Sequence, residues 1–393
     1  MNLREVQGVM NMDMQVISVN LKLLRNEKSL TQQKSAELAG ISRAAYIAIE
    51  NGEAVPKVST LQDIARALNV KIQDLLAPVK ELKAVRFRAQ KSLKKRRNIL
   101  IEVSRWLQNY YELEKLLGDK KAFKFRDLAK KLTEHPPGKD RAIYAANKAR
   151  AILGLYENEP IRDIAGLLEN AGIKVYSYKS TSDSFFGLSV GETDGGPAVV
   201  VNVSDRIAVE RWIFSAVHEL GHLLLHLDSF NSSKEEENEQ EEYEANYFAS
   251  HFLMPEKVFR AEWEEAYGLP FVDRVIKVKK IFHVSYKTVL YRLSETEDFN
   301  VWAKFYADYK KRKGKSISSR SEPESIPADL YLQSPESSRR NEPESMSRSY
   351  FTEERLRKLI RIAVEQNHIT LNRAAEILKL STSDMREISS SWV

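Results

Sequence analysis

The 393-residue sequence predicts an α+β fold, mainly helical with one small sheet. Apolar residues recur at helical spacing through most of the chain. Strand-like runs cluster between residues 174 and 202. Proline, glycine and serine breaks punctuate the rest. These breaks divide the chain into a loose amino-terminal segment (1–15), a five-helix domain (16–78), a basic helical connector (79–138), a central α+β domain (139–309), a disordered low-complexity linker (310–349) and a small helical module (350–393).

From Val16 onward short helices follow one another, opening on the apolar stripe of Val19, Leu23 and Leu24. Thr31 stands as N-cap of a second helix. Gly40-Ile41-Ser42 makes a tight turn, Ser42 caps a third helix running to Glu50, and Asn51-Gly52 closes it. Pro56, Leu61, Ile64, Ala65, Leu68 and Val70 supply two more short helices ending near Pro78. A glycine turn between the second and third of five short helices is a helix-turn-helix arrangement.

On Leu30-Thr31-Gln32, Ala36, Gly40-Ile41-Ser42, Ile49-Glu50, Gly52, Pro56 and Leu61 to Leu68, the stretch from Val16 to Ala77 resembles the XRE family of regulators. The resemblance implies duplex DNA as partner, faced by Gln32, Ser42, Arg43 and Ala44. Arg43 is the base reader expected, since its guanidinium can bridge a guanine edge. Lys22, Arg25, Lys28 and Lys34 are the phosphate candidates. Ile47 and Ala48 stand where polar residues are common, so the recognition helix offers few hydrogen bonds.

Val79 to Lys131 reads as basic and helical, and its lysine–arginine cluster around Lys91 to Arg97 would lengthen the phosphate footprint. Glu134-His135-Pro136-Pro137-Gly138 breaks the chain before the central domain. There, helices are expected over Ala142 to Leu153 and Ile161 to Ala171, and strands over Lys174 to Tyr178, Phe186 to Val190 and Ala198 to Asn202.

The central domain carries His218-Glu219-Leu220-Gly221-His222 inside an apolar run without proline, hence on a helix. There His218 and His222 lie one turn apart on one face, where both imidazoles can reach one metal ion. Glu219 is rotated by about 100° from His218, which suits a general base rather than a ligand. A tetrahedral site needs a further protein ligand before water takes the open position. Glu242 on the next helix fits that role, with Glu244 as the reserve; Asn246, four residues after Glu242, shares its face and can support the site. His226 lies about 12 Å along the axis from His218, which points to a supporting or substrate-lining role, or to an ordinary buried histidine.

On Phe214 to His222, Glu242 to Ala249 and Phe252-Leu253-Met254-Pro255, the stretch from about Asp140 to Ser294 resembles the ImmA/IrrE metallopeptidases, which are gluzincin-like. The resemblance implies a zinc ion on His218, His222 and Glu242, with Glu219 as base, and a protein substrate such as a cognate repressor. Two imidazoles and a carboxylate would also accept manganese. Val284 to Leu293 resembles the closing helix-turn-helix-like unit of the same family, to which no DNA is assigned.

Lys310 to Ser349 is low in complexity, with Ser-Glu-Pro-Glu-Ser at 321–325, Asn-Glu-Pro-Glu-Ser at 341–345 and a lone apolar pair, Tyr331 and Leu332. Helical periodicity returns from Phe351 to Val393, capped at Thr370 and Ser381, as a docking or oligomerisation module. The net charge is +6 and cysteine is absent, which rules out a disulfide framework or thiolate metal site and fits the cytoplasm. No apolar run reaches membrane-spanning length, so neither a membrane span nor a secretion signal is expected. The whole reads as a cytoplasmic, homodimeric DNA-binding regulator with a zinc-dependent endopeptidase domain. The alternative is a transcription regulator or antitoxin-like protein whose peptidase fold senses a metal or a partner.

Overall fold

The computed structural model describes residues 14, 16–22, 24–26, 28, 30–76, 82–89, 96–155, 160–180, 185–230, 238–318, 321–323 and 346–392. The chain forms two compact units, residues 1–81 with 95–105, and residues 82–94 with 106–393.

In the first unit, helical residues 16–22 and 24–26 (α1) precede α2 (Gln32–Leu38), α3 (Arg43–Glu50), α4 (Val58–Ala67) and α5 (Ile72–Leu76). The Thr31 and Ser42 hydroxyls each accept from the backbone N–H three residues on, at 3.1 Å, and so start α2 and α3. Between them Gly40 takes φ +65°, a conformation cheap only for glycine, which turns the chain within four residues. Leu21, Tyr46, Ile49, Ile64, Leu68 and Leu75 close the core beneath.

The second unit holds β1 (Val85–Ala89), α7 (Arg126–Leu132), α8 (Lys139–Ile152), α9 (Ile164–Asn170), β2 (Lys174–Tyr178), β3 (Phe185–Val190), β4 (Ala198–Asn202), α10 (Val209–Leu225) and α11 (Glu239–Leu253). α6 (Arg96–Leu117) contributes to both units, changing over after Arg105. The sheet order is β1-β3-β4-β2; β3 runs antiparallel to both its neighbours, while β4 and β2 are parallel. Ala-Val-Val-Val-Asn in β4 is buried at every residue, as suits an interior strand covered on both faces.

α10 packs against β3 and β4 on one side and α11 on the other. Gly221 permits the second contact, since a Cβ there would lie 3.0 Å from Phe248 Cδ1 and 3.3 Å from the Ala245 backbone. Helices α12 (Glu256–Glu265), α13 (Phe271–Phe282), α14 (Tyr286–Leu293) and α15 (Val301–Lys313) complete the apolar core, and α16 (Arg355–Glu365), α17 (Leu371–Leu378) and α18 (Thr382–Ser390) follow.

Three boundaries differ from the sequence reading. The connector is not wholly helical: Val85-Arg86-Phe87-Arg88-Ala89 alternates with period two and pairs with β3, a pattern that its basic composition hid. The linker begins later than residue 310, since α15 runs to Lys313, and Glu322 is anchored: Ser285 Oγ, the Tyr286 N–H and Lys279 Nζ all donate to its carboxylate. Tyr331 and Leu332 lie outside the described residues. The carboxy-terminal helices are fastened to the central domain, because the buried Glu169 carboxylate accepts from the Glu354 and Arg355 N–H groups at 3.1 and 3.0 Å. Arg355 also pairs with Glu114 and Asp119, and Phe351 enters the main core. Among the described residues no helix is long and apolar enough to cross a membrane.

Candidate functional site

α10 brings His218 and His222 together one turn apart, both within 1% of full burial, with their Nε2 atoms 2.9 Å from each other. Glu242 on α11 completes a triangle: Oε2 is 3.2 Å from His218 Nε2 and Oε1 is 3.1 Å from His222 Nε2. Edges of about 3 Å match what a divalent ion needs when each ligand atom sits about 2 Å from it. Among the described residues these three form the cluster of metal-ligand type, with all ligand atoms within 4.8 Å of one another.

The atoms behind the triangle set the tautomers. His218 Nδ1 lies 3.0 Å from Asn246 Oδ1, which can only accept, so Nδ1 carries the proton and Nε2 presents its lone pair. His226 Nε2 lies 3.0 Å from Glu244 Oε2, again an acceptor, so His226 is protonated there and its Nδ1 is free to accept. His222 Nδ1, 2.9 Å from His226 Nδ1, therefore donates, and His222 Nε2 also faces the triangle with a lone pair. Burial lowers the His222 imidazole well below the ordinary histidine value and lowers His226 in the same direction. Burial raises the Glu242 carboxyl, but the facing His218 and His222 rings outweigh it and hold that group far below the ordinary carboxylate range. The donor set fits a divalent metal: two neutral imidazoles and one ionised carboxylate.

Glu244, the reserve ligand of the sequence reading, is spent elsewhere. It accepts from Arg141 through both oxygens, at 3.0 and 2.6 Å, and from the Gly138 N–H. Burial pushes its carboxyl up, but the bonds from His226, Arg141 and Gly138 bring it down to about 2.

Glu219 is 1% exposed and turned toward β3, where Ser189 Oγ donates to its Oε2 at 2.9 Å. Gly187 makes the room, because a Cβ there would come within 3.0 Å of Glu219 Oε1. Three residues of this neighbourhood escaped the sequence reading. Ser189 left a trace, being the one hydroxyl in Phe-Phe-Gly-Leu-Ser-Val. Arg141 and Arg86 left none, since they reach Glu244 and Glu241 across 103 and 155 residues of chain.

In the first unit Ser42, Arg43, Ala44, Lys22, Lys28 and Lys34 are exposed; Lys34 lies 3.5 Å from Glu37. Arg25 corrects the sequence reading. Its Nε and Nη2 clasp Glu50 at 2.7 and 2.9 Å and its Nη1 donates to the Leu30 carbonyl, so it serves the domain's interior rather than a phosphate. Glu50 is 3% exposed, and a buried carboxylate requires such a partner. Gln32 is half-buried and spends its amide N–H on Glu50 Oε1 at 3.0 Å, which removes that donor from a DNA-facing role.

Fold and site together define a helix-turn-helix domain joined to a metallopeptidase-type fold. A helix-turn-helix family profile matches residues 21–75, and the M78 peptidase profile described as IrrE N-terminal-like domain matches residues 168–294. An HTH-type transcriptional regulator of Bacillus subtilis (strain 168), YqaE, is 40% identical over 78 residues, 20% of this chain and 67% of that protein. Another, y4dJ of Sinorhizobium fredii (strain NBRC 101917 / NGR234), is 37% identical over 71 residues, 18% of this chain and 92% of that protein. The crystal structure of ComR from Streptococcus suis aligns over 75% of this chain and 81% of that one, at 12% identity and a TM-score of 0.15. The chain belongs to the XRE-type helix-turn-helix transcription regulators, with an IrrE-like M78 domain attached.

Proposed function

We propose that this DNA-binding regulator is also a metal-dependent endopeptidase of narrow specificity that cuts a regulatory protein, such as a cognate repressor. The observation that carries the reading is the His218–His222–Glu242 triangle with a buried carboxylate, Glu219, on the same helix. The cytoplasm is where such a chain would meet both duplex DNA and a repressor, and a homodimer suits a helix-turn-helix that reads paired half-sites. Zinc is the ion proposed, with manganese compatible with the same donors.

His218, His222 and Glu242 would hold the ion, which when bound supplies Lewis acidity toward a peptide carbonyl and lowers the pKa of water. Glu219 takes the proton of the attacking water and passes it to the leaving amine nitrogen. Ser189, donating to Glu219 Oε2, holds that carboxylate in place between the two transfers. Asn246 and His226 keep the two imidazoles in the tautomer that presents Nε2.

The test compares two substitutions. Glu219→Gln keeps shape and ligands, so it should retain the ion while losing cleavage by about 100-fold or more. Glu242→Gln should weaken metal retention itself. A cellular response regulated by this protein should vanish in both. If it survives Glu219→Gln intact but not Glu242→Gln, the site senses a metal or partner and does not cut.

A further inference from the structure

β3 is the strand that borders the candidate centre. Ser189 reaches Glu219 from it, and Gly187 opens space for the same carboxylate. One side of β3 pairs with β4. The other side is the edge on which an extended polypeptide could be added as a further strand. In this chain that edge is taken from within: Val85 to Ala89 lie antiparallel along it, Arg86 opposite Ser189 and Arg88 opposite Gly187.

The inserted strand does more than pair. Directly opposed residues of neighbouring strands share a face, so Arg86 emerges on the Glu219 side. Its guanidinium reaches Glu241 and, through Nη2 at 3.2 Å, Oε1 of the ligand Glu242. That oxygen is the one that faces His222 Nε2 at 3.1 Å. The strand is moored upstream, where the Asp194 carboxylate accepts from the Lys83 and Ala84 N–H groups and the Gly191 N–H donates to the Ala84 carbonyl at 2.8 Å. It comes from outside the matched 168–294 stretch.

We propose that residues 85–89 occupy the centre's substrate-strand position in cis. The site then accepts an extended peptide strand with arginine opposite Ser189, and the chain as it stands is blocked by its own segment. This rests on the peptidase reading for its meaning, but the strand exchange itself can be measured without any cleavage.

The probe is a fluorescent peptide with the sequence of residues 82–91, Leu-Lys-Ala-Val-Arg-Phe-Arg-Ala-Gln-Lys, added to the full chain carrying Glu219→Gln, with a scrambled peptide as control. A site filled in cis more than nine-tenths of the time weakens apparent affinity about tenfold or more. Adding Arg86→Ala should therefore tighten peptide binding by at least about tenfold. Asp194→Asn, which loosens the mooring without touching the centre, should do the same. In the chain without these two changes, excess peptide should speed amide exchange across residues 85–89 as the second strand displaces the first.

Equal affinity in all three chains, no binding to any, or unchanged exchange overturns the proposal. If cleavage of a protein target persists while the peptide never binds, this inference falls and the peptidase reading stands. If the peptide binds the released variants but the Asp194→Asn chain with Glu219 intact, metal-loaded, cuts no protein target, the strand site stands and the peptidase reading falls.

Discussion

His222 and His226 face one another through their Nδ1 atoms at 2.9 Å, and this contact decides which nitrogen His222 offers to a metal. Neither ring can donate to the other unless the tautomers alternate, and Glu244 on the far side of His226 sets the alternation. Arg141 in turn fixes Glu244. A ligand orientation on α10 is thus set by a relay that ends on α8.

The relay predicts that His226→Phe, which keeps a ring but removes the acceptor, weakens metal affinity by about 10–100-fold. Competition with a fluorescent chelator would read it. Arg141→Ala should weaken affinity in the same direction and lower stability, because it leaves a buried carboxylate short of a partner. Unchanged affinity in both would mean that the His222–His226 contact does not orient the ligand.

Gly187→Ala should impair the base without removing the ion. A Cβ there lies 3.0 Å from Glu219 Oε1 and 3.0 Å from the Val200 carbonyl, so either the carboxylate or the strand must shift. Overpacking of this kind costs about 1–3 kcal/mol. The outcome expected is a lower melting temperature and slower cleavage at normal metal content, measured on the same preparation.

In the first unit Arg25 and Lys22 should part company. Arg25→Ala leaves the buried Glu50 charge without its counter-ion, with only Gln32 still donating to it, a loss of about 3 kcal/mol, so the domain should unfold more easily and DNA binding should fall with it. Lys22→Ala should leave the melting curve alone, weaken binding to all duplexes alike and reduce the salt slope by about one. Arg43→Ala should instead flatten sequence preference by about 1–3 kcal/mol at one base pair. Binding measured across salt and across single-base variants separates the three.

Glu169 gives a pH signature. Burial raises its carboxyl from 4.5 to about 7, against the pull of the Arg355 and Glu354 N–H groups. The folded chain thus holds a proton that the unfolded chain has released between these values. The contribution is full below 4.5 and is lost as pH rises through about 7, with a ceiling of roughly 3 kcal/mol. Denaturation of the wild type and Glu169→Gln at about pH 5 and pH 8 should show the wild type losing more stability between the two than the variant does.

Much of this was legible in the sequence because it is local. Thr31 and Ser42 cap the helices they precede, and the spacing of His218 and His222 on a proline-free run is enough to place both imidazoles on one face. The strand at Ala198–Asn202 declared itself by its apolar run. Family profiles at 21–75 and 168–294 fall where those local signals lie.

What lay beyond the sequence depends on who meets whom across long separations. Nothing in Arg25 distinguishes a phosphate contact from the partner of Glu50 until α1 and α3 are packed, because the same guanidinium serves either purpose. The strand at Val85–Ala89 gains its identity only from the free edge of β3, since backbone N–H and C=O groups pair with whatever edge the fold presents. Sequence spacing favoured Glu242 through Asn246, but what Glu241 and Glu244 do instead was tertiary. Three carboxylates on one short helical stretch have the same chemistry, and their neighbours divide the roles: Arg86 and Ser229 bind Glu241, the histidine pair faces Glu242, and Arg141 with His226 claims Glu244.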